Sequence, residues 1–184
     1  PKGHQGIAVK VSEKGYMDLY ELLNIPEKRN EIPFFLILDC IEDPGNVGAI
    51  LRSADAAGVH GVIVQEHRSA GLSPAVSKAS AGAVEYVPVS QVSNIKHAIS
   101  EMKEREITII GAESGSGNMP WDVDFSVPAG IVIGSEGRGL RKTVSEKCDF
   151  VVSIPMKGRV NSLNVSVAGA VLMFEVLRQR VRKN

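Results

Sequence analysis

The stretch that decides the fold is PFFLILDCIEDPGNVGAILRSADAAGVHGVIV, residues 33–64. It begins with an apolar run at Phe34–Asp39, which is typical of a strand buried on both faces of a sheet. A turn with proline and glycine follows, and Asn46 is placed to cap a helix that runs to about Ala57. The next apolar run, Gly61–Val64, predicts a second strand. The stretch therefore predicts a strand, a helix and a second strand in succession.

Strands and helices continue to alternate after this unit. Further apolar runs predict strands at 86–89, 108–111, 130–133 and 150–154. Helical spacing of apolar residues predicts helices at 73–81, 95–102, 138–147 and 165–180. Because such alternation favours crossover connections, we expect an α/β fold with a mostly parallel sheet and helices on both faces. Residues 1–32 carry only a short helical pattern and are expected to be an extension of this domain or a linker.

Size and composition are those of one globular domain. The chain has 184 residues and is 43% hydrophobic, which is enough for a full core. No run is long and apolar enough to cross a membrane, and no signal-peptide pattern stands at the start. The two cysteines, Cys40 and Cys148, form no Cys-x-x-Cys pair, which predicts a reduced, cytoplasmic setting. The four histidines show no zinc-ligand spacing, so we expect no metal site.

Charge is balanced overall but uneven along the chain. The formal net charge is zero, with 21 basic and 21 acidic residues, which argues against a strongly basic nucleic-acid module. Residues 134–159 contain six basic and three acidic side chains, and residues 178–184 add four basic side chains and no acid. These local excesses favour either a rim that attracts phosphates or an ordinary solvated face.

Ligand sites in open parallel sheets gather at the carboxyl ends of strands. The polar loops at 40–46, 134–139 and 155–164 follow predicted strands and form the candidate site, whereas a fourth polar loop, at 112–120, is expected to be mobile. In the first of them, Asn46 is either a plain helix cap or an amide that faces a ligand. Arg52, further along the same helix, either pairs with Asp55 on the surface or holds phosphate or ribose oxygens.

The loop GSEGRGL, residues 134–140, has three glycines, which let a backbone approach a ligand closely. Its glycine order is G-x-x-G-x-G rather than the dinucleotide-binding G-x-G-x-x-G, and the sequence has no P-loop pattern. A nicotinamide oxidoreductase and a P-loop NTPase are therefore poorly supported. Glu136 is either a favourable charge near a helix N-terminus or a group that faces a ligand.

The segment IPMKGRVNSLNVS, residues 154–166, carries two asparagines and a serine between positions 161 and 164. One helix N-terminus needs about one capping side chain, so two polar side chains are left over. Spare amides and hydroxyls at a strand-to-helix junction suit a polar ligand, although a capped helix with a polar turn has the same pattern. The apolar residues of the segment either flank an aromatic ring such as adenine or belong to the core.

Three segments match one family in order and in spacing: DPGNVGAILRSADAAG at 43–58, IVIGSEGRGL at 131–140 and IPMKGRVNSLNVSVAGAVLMFEVLRQR at 154–180. Together they resemble the three motifs of the SpoU-type RNA ribose 2′-O-methyltransferases, which are part of the SPOUT superfamily. Within that family, the segments most similar to the 23S rRNA guanosine 2′-O-methyltransferases are HQGIAV at 4–9, RSADAAGVHGVIV at 52–64 and RSAGLSPAVSKASAGAVEYVPV at 68–89.

The resemblance implies a fold, an assembly and a domain arrangement. The C-terminal third would form the deep trefoil knot of the SPOUT fold. The protein would be a homodimer in which the last helix packs through Val167, Val171 and Phe174. Residues 33–184 would be the catalytic domain, and residues 1–32 would be a linker that follows a small RNA-binding domain missing from this chain.

The resemblance also implies S-adenosylmethionine as the cofactor and two groups of site residues. The residues that line the cofactor pocket, mainly through backbone groups and apolar contacts, would be Gly134, Ile154, Met156 and Leu163. The catalytic residues would be Asn46, Arg52, Glu136, Ser162 and Asn164.

Each catalytic residue would have a distinct role. Arg52 would stabilise the alkoxide that develops as the ribose 2′-hydroxyl loses its proton, because a guanidinium stays protonated in proteins. Asn46 and Glu136 would position Arg52 and the ribose. Ser162 and Asn164 would shape the turn around the cofactor and the RNA.

The function expected from the resemblance is transfer of a methyl group from S-adenosylmethionine to a ribose 2′-hydroxyl of RNA. The expected target is a guanosine of 23S rRNA. Two alternatives stay open at this point, namely a tRNA substrate and a non-catalytic RNA-binding domain on the same scaffold.

Overall fold

The computed structural model describes residues 15–115 and 117–183. Within these residues, six strands form one sheet in which every neighbouring pair is parallel. The strands are β1 (Phe34–Asp39), β2 (Gly61–Gln65), β3 (Val89–Val92), β4 (Thr108–Ala112), β5 (Ala129–Gly134) and β6 (Phe150–Val152). Their order across the sheet is β3-β2-β1-β5-β4-β6. The predicted mostly parallel sheet is confirmed.

Helices precede, connect and follow these strands. In the described part of the chain they are α1 (Leu19–Leu23), α2 (Ile25–Arg29), α3 (Pro44–Ala56), α4 (Pro74–Ala79), α5 (Ile95–Glu104), α6 (Lys142–Ser145) and α7 (Val165–Lys183). Single 3₁₀ turns lie at Ala83–Glu85 and Pro120–Asp122. Asp18, Ser73 and Asn94 cap α1, α4 and α5 by accepting backbone N–H bonds in the first turn.

Helices cover both faces of the sheet, as predicted. Along β1, Phe34, Leu36 and Leu38 belong to a first core cluster, whereas Phe35 and Ile37 belong to a second. Residues of α3, α4 and α7 complete the first cluster, and residues of α1, α5 and α6 complete the second. The apolar run in β1 is continuous because a strand covered on both faces has no solvent-facing side.

The helices α1 and α2 lie within the segment 1–32. Leu22 and Leu23 of α1 are buried in the second core cluster. Just before α1, the Met17 N–H donates to the Val89 carbonyl of β3 at 2.8 Å. The segment HQGIAV at 4–9 lies outside the described residues. The linker role and the missing RNA-binding domain stay predictions.

The predicted N-cap of α3 is wrong by three residues. Asp43, not Asn46, is the cap, because its carboxylate accepts from the Asn46 N–H at 2.7 Å. Pro44 then occupies the first helical position, where its missing N–H costs nothing. Asn46 therefore lies inside the first turn of α3, and its side chain does not cap the helix.

Two other predicted elements are also corrected. The helix predicted at 138–147 shrinks to α6, because Arg141 has an extended backbone and Ser135 pairs with Gly139 across the preceding loop. The strand predicted at 86–89 overlaps β3 only at Val89, because the residues before it turn through a 3₁₀ segment.

The sheet has a switch point between β1 and β5. The chain moves from β1 outward through β2 and β3 and then crosses to the other side of β1. There it forms β4, next β5 between β1 and β4, and finally β6 outside β4. A crevice opens at the carboxyl ends of strands at such a point. Asp39, fully buried at the end of β1, accepts from the Arg141 backbone N–H at 2.9 Å and from its Nε at 2.7 Å. This ion pair fixes the loop after β5 beside the end of β1.

No helix in the described residues is both long enough and apolar enough to span a membrane. The predicted C-terminal knot stays a prediction.

Candidate functional site

A first cavity of about 180 Å³ lies at the carboxyl ends of β4, β5 and β6. The start of α7 closes one side of it through Val165, Ala168 and Leu172. The loop after β6 closes another side through residues 154–163. Three of the predicted polar loops therefore meet around one cavity, as the strand order requires.

The walls of the first cavity combine apolar side chains with carboxylates. Ile133, Ile154 and Leu163 supply apolar surface. Glu113 and Glu136 supply the charge, and none of the described residues that line the cavity is Lys or Arg. The cavity therefore suits a ligand that carries an apolar ring and a positive charge.

Gly134 sets the shape of the loop after β5. A Cβ at this position would lie 2.1 Å from the Gly139 carbonyl carbon and 2.3 Å from the Leu140 nitrogen. The loop folds back on itself here, because Ser135 and Gly139 exchange backbone hydrogen bonds of 2.9 and 3.1 Å. Gly139 has a φ of 66°, a conformation that glycine adopts without strain. The close return of this loop places Glu136 at its tip.

A chain of side-chain hydrogen bonds joins the loops after β1, β5 and β6. The Asn164 Nδ2 donates to the Asn46 Oδ1 at 3.0 Å, and the Asn46 Nδ2 donates to the Glu136 Oε2 at 3.4 Å. Asn164 also caps α7, because its Oδ1 accepts from the Ser166 N–H at 2.9 Å. One capping side chain thus satisfies the helix, and Asn46 is available for the chain because Asp43 caps α3.

The structure places most of the predicted site residues together. The predicted residues that line the first cavity are Gly134, Glu136, Ile154, Met156, Ser162 and Leu163. Asn46 lines a neighbouring second cavity, and Asn164 reaches the site through its bond to Asn46.

Arg52 is the predicted site residue that the structure does not bring to the others. It is exposed on α3, six residues beyond Asn46, which places the two side chains about 120° apart around the helix. Its side chain makes no hydrogen bond or ion pair with a described residue, and the surface pair with Asp55 does not form. Its guanidinium is therefore free for a partner outside this chain.

Sequence reasoning missed the contribution of the loop after β4. Ala112, Glu113 and Ser114 line the first cavity. The Ser114 Oγ donates to the Asn161 carbonyl at 2.9 Å, which ties this loop to the loop after β6. The loop showed no distinctive motif, but its place after a buried strand was a signal that its residues belong to the site.

The second cavity, of about 620 Å³, lies at the switch point between β1 and β5. It shares Ser135, Glu136, Gly139 and Val165 with the first cavity. Its other lining residues are Cys40, Ile41, Glu42, Asp43, Asn46, Arg68, Arg138, Leu140 and Arg141. Burial, with a smaller contribution from Asp39, raises the pKa of the Cys40 thiol, so this group is not an activated nucleophile.

The fold and the site define a class: a doubly wound parallel sheet with two adjoining cavities at the carboxyl ends of its strands. Residues 33–174 match the family model described as the SpoU rRNA Methylase family. The chain belongs to this family.

Relatives and solved structures agree with this assignment. The chain is 46% identical over 177 residues to YacO of Bacillus subtilis, which is assigned to the TrmH family of tRNA/rRNA methyltransferases; the match covers 96% of this chain and 71% of YacO. The SpoU methyltransferase AviRb from Streptomyces viridochromogenes, solved with its cofactor AdoMet, superposes with a TM-score of 0.77 at 32% identity, over 82% of this chain and 59% of AviRb. An AdoMet-bound rRNA methyltransferase from Sinorhizobium meliloti superposes with a TM-score of 0.80 at 26% identity, over 90% of this chain and 61% of that one.

Proposed function

We propose that this chain transfers a methyl group from S-adenosylmethionine to a ribose 2′-hydroxyl of RNA, with a guanosine of 23S rRNA as the target and the cytoplasm as the setting. The observation that carries the proposal is the hydrogen-bonded chain Asn164–Asn46–Glu136, which joins the three motif loops beside a wall shared by two cavities. Methyl transfer between two substrates needs two adjoining binding sites, because the methyl donor and the acceptor hydroxyl must be held next to each other, each in its own site.

The first cavity fits S-adenosylmethionine. Its apolar residues Ile133, Ile154 and Leu163 suit an adenine ring, and the carboxylates of Glu113 and Glu136 suit a sulfonium cation. When bound, the cofactor supplies an electrophilic methyl group. The residues that would hold it are Gly134, Ile154, Met156 and Leu163.

Residues at the shared wall would orient the acceptor. The Glu136 carboxylate, held from one side by Asn46, leaves its other oxygen free to accept a hydrogen bond from a ribose hydroxyl. Ser162 lines the first cavity near the start of α7 and would shape the turn with Asn164. Alignment of the hydroxyl with the methyl group would supply much of the acceleration.

Arg52 would stabilise the developing alkoxide in the site of a second copy of the chain rather than in the site of its own copy. It lines neither cavity of its chain, so the proposal includes a homodimer in which a second copy completes the arrangement. The exposed face of α7 supports such an assembly, because Val167, Val171 and Phe174 are 49%, 42% and 47% exposed on one side of the helix. Light scattering at micromolar concentration should give the mass of a dimer, and a monomer would count against this part of the proposal.

The decisive experiment measures cofactor binding and methyl transfer separately. We expect S-adenosylhomocysteine to bind at about one site per chain by calorimetry, with NADH as the control that does not bind. Arg52→Ala should keep this binding and lose at least a hundredfold in transfer of labelled methyl to unmodified RNA. The matched control is Arg29→Ala, an exposed arginine on α2 that lines neither cavity. Near-normal turnover of Arg52→Ala would refute the assigned role.

Mass spectrometry of ribosomal and transfer RNA would identify the substrate. In cells that lack the gene, we expect one 2′-O-methylguanosine of 23S rRNA to disappear. Loss of a methyl group from tRNA instead would make the chain a tRNA ribose methyltransferase. If no methyl group is lost and S-adenosylhomocysteine does not bind, a non-catalytic RNA-binding role would replace both.

A further inference from the structure

The second cavity contains two arginines that are not used by the fold. Arg68 follows β2, and Arg138 lies in the loop after β5. Both line the cavity and are exposed, and neither makes a hydrogen bond or ion pair with a described residue. Two guanidinium groups without partners on one cavity form a candidate binding site for a carboxylate or a phosphate, because arginine binds the oxygens of these groups bidentately.

A third arginine of the cavity is already occupied. Arg141 donates from Nε to Asp39 at 2.7 Å and from Nη2 to Gln65 at 2.7 Å. Its charge is compensated by the buried Asp39 carboxylate, and its planar group has a structural role. Among the arginines of the described lining, Arg68 and Arg138 are therefore the ones with guanidinium groups available to a ligand.

The backbone at Arg68 is held in position from two sides. Two residues later, the Ala70 N–H donates to the Ile41 carbonyl at 3.1 Å, which ties the loop to the end of β1. The Leu72 N–H donates to the Tyr16 hydroxyl at 2.9 Å. The loop thus presents Arg68 from a fixed base rather than from a free coil, which lowers the entropy lost when the side chain binds.

Arg68 also has an unfavourable backbone conformation. Its φ is 58°, and Cys40, which lines the same cavity, has a φ of 59°. The other described non-glycine residues with positive φ, namely Asn30, Ala81 and Glu106, stand at or just after helix ends, where this conformation is ordinary. Strained backbone away from helix ends is characteristic of sites that position side chains.

We propose that Arg68 is a positioning residue that binds a backbone phosphate of the acceptor nucleotide, assisted by Arg138, which lines the same cavity. This inference rests on the proposed function, and it assigns the second cavity to the nucleotide and the first to the cofactor. The ribose would then lie at the shared wall, beside Glu136 and Asn46. The remaining carboxylate, Glu42, faces the same cavity and is available for ribose or base donors.

The test compares Arg68→Ala, Arg68→Lys and Arg138→Ala with Arg29→Ala as the charge-matched control. Each protein is saturated with S-adenosylhomocysteine and titrated with a single-stranded RNA oligonucleotide and with unmodified 23S rRNA transcript over a range of salt concentrations. Each lost phosphate contact should lower the slope of log K against log salt by about 0.7. We expect Arg68→Ala to lose this amount and about tenfold in affinity at low salt, which a purely structural role would not produce.

The lysine variant and the cofactor titration separate the remaining readings. Arg68→Lys should recover the salt slope, because a lysine still neutralises a phosphate, but only part of the affinity, because it cannot bind bidentately. In methyl transfer, Arg68→Ala should raise KM for RNA more than it lowers kcat. S-adenosylhomocysteine should bind all four variants as it binds the wild type, which also shows that they fold.

Three results would overturn the assignment of Arg68. The first is an unchanged salt slope and RNA affinity in Arg68→Ala, while the wild type binds S-adenosylhomocysteine and methylates RNA. This result leaves the proposed function intact. The second is loss of S-adenosylhomocysteine affinity in Arg68→Ala without a change in RNA binding, which would assign the guanidinium to the cofactor. The third is a wild type that binds no RNA. Failure of the wild type to bind S-adenosylhomocysteine would instead refute the proposed function, while the RNA titrations would still decide the role of Arg68.

Discussion

Replacement of Arg180 by alanine should destabilise the whole domain, although this residue lies at the far end of α7 from the site. Its guanidinium donates to four backbone carbonyls at 2.8–3.0 Å, those of Ile32, Pro33, Phe125 and Val127. It also lies over the Phe34 ring, with its central carbon 5.2 Å from the ring centroid. These carbonyls belong to the segments that lead into β1 and β5. Arg180 therefore fastens α7 to the two central strands.

The magnitude follows from which of these bonds are shielded. The bonds to Phe125 and Pro33 are part-buried, whereas those to Ile32 and Val127 are exposed, where water can replace them. A shielded bond from a charged donor contributes about 1.5–3 kcal/mol. The two shielded bonds therefore predict a loss of about 3–6 kcal/mol in the free energy of unfolding, to which the ring contact adds. Burial lowers the pKa of Arg180 to about 10, so the group still carries its charge at neutral pH.

The assay is urea unfolding followed by circular dichroism, at one protein concentration because an assembling protein gains stability with concentration. The matched control is Arg178→Ala on the same helix, where the arginine is exposed and pairs only with Glu175 among the described residues. That variant should stay close to the wild type. For a domain of this size, the loss in Arg180→Ala corresponds to a melting temperature lower by roughly 10 °C. A free energy of unfolding within about 1 kcal/mol of the wild type would refute the reasoning.

Two other predictions concern the site loop and the pH dependence of stability. Gly134→Ala should lower the affinity for S-adenosylhomocysteine at least tenfold, as measured by calorimetry, because the added Cβ would lie 2.1 Å from the Gly139 backbone. The control is Gly158→Ala, where an added Cβ meets nothing within 4 Å. Equal affinities in the two variants would contradict the prediction. His60 accepts from the Phe34 N–H and contacts Glu31, and burial lowers its pKa below 6.5 more than Glu31 raises it. The unfolded chain therefore takes up a proton below about pH 6.5 that the folded chain does not, so the free energy of unfolding is highest above that pH and decreases as the pH drops. In urea titrations between about pH 7.5 and pH 5, His60→Asn should show a smaller decrease than the wild type. An equal decrease would exclude His60 as its source.

The fold was predictable to the extent that burial leaves a pattern in the sequence. The run at 34–39 is apolar throughout its buried middle because both faces of β1 are covered, and α5 shows helical spacing because only one of its faces is. A helix was predicted to begin at Arg138, but the backbone there turns back on itself instead, with Ser135 paired to Gly139. No local pattern reports that return, because it depends on contacts between residues four apart in a loop.

The lining of the candidate site was predictable where a motif spans one loop, and not where distant loops meet. Glu136 and Ser162 were placed at the candidate site because their own segments carry the family motifs, and both line the first cavity. Asn46 was predicted both as a site residue and as a helix cap, but the cap is Asp43, because Pro44 occupies the first helical position. Arg68 was missed because it arrives from the loop after β2, and only the order of the strands brings that loop to the switch point.

The distribution of charge between the two cavities gives the strongest physical reason for assigning a different substrate to each. Glu113 and Glu136 face the first cavity, and no described residue in its wall is basic, so it favours a cationic methyl donor over an anionic one. The wall of the second cavity contains three arginines and the carboxylates of Glu42, Asp43 and Glu136. Of the three arginines, Arg68 and Arg138 have side chains without a partner among the described residues, and they favour phosphate. A nucleotide would therefore be disfavoured in the first cavity, and Glu136 at the shared wall is the group that both ligands would approach. Arg68→Glu should then weaken RNA binding more than Arg68→Ala does, and both variants should bind S-adenosylhomocysteine as the wild type does. Calorimetry with both ligands measures these affinities. Equal effects of the two substitutions on RNA binding would show that the charge of the second cavity has no role in the choice of substrate.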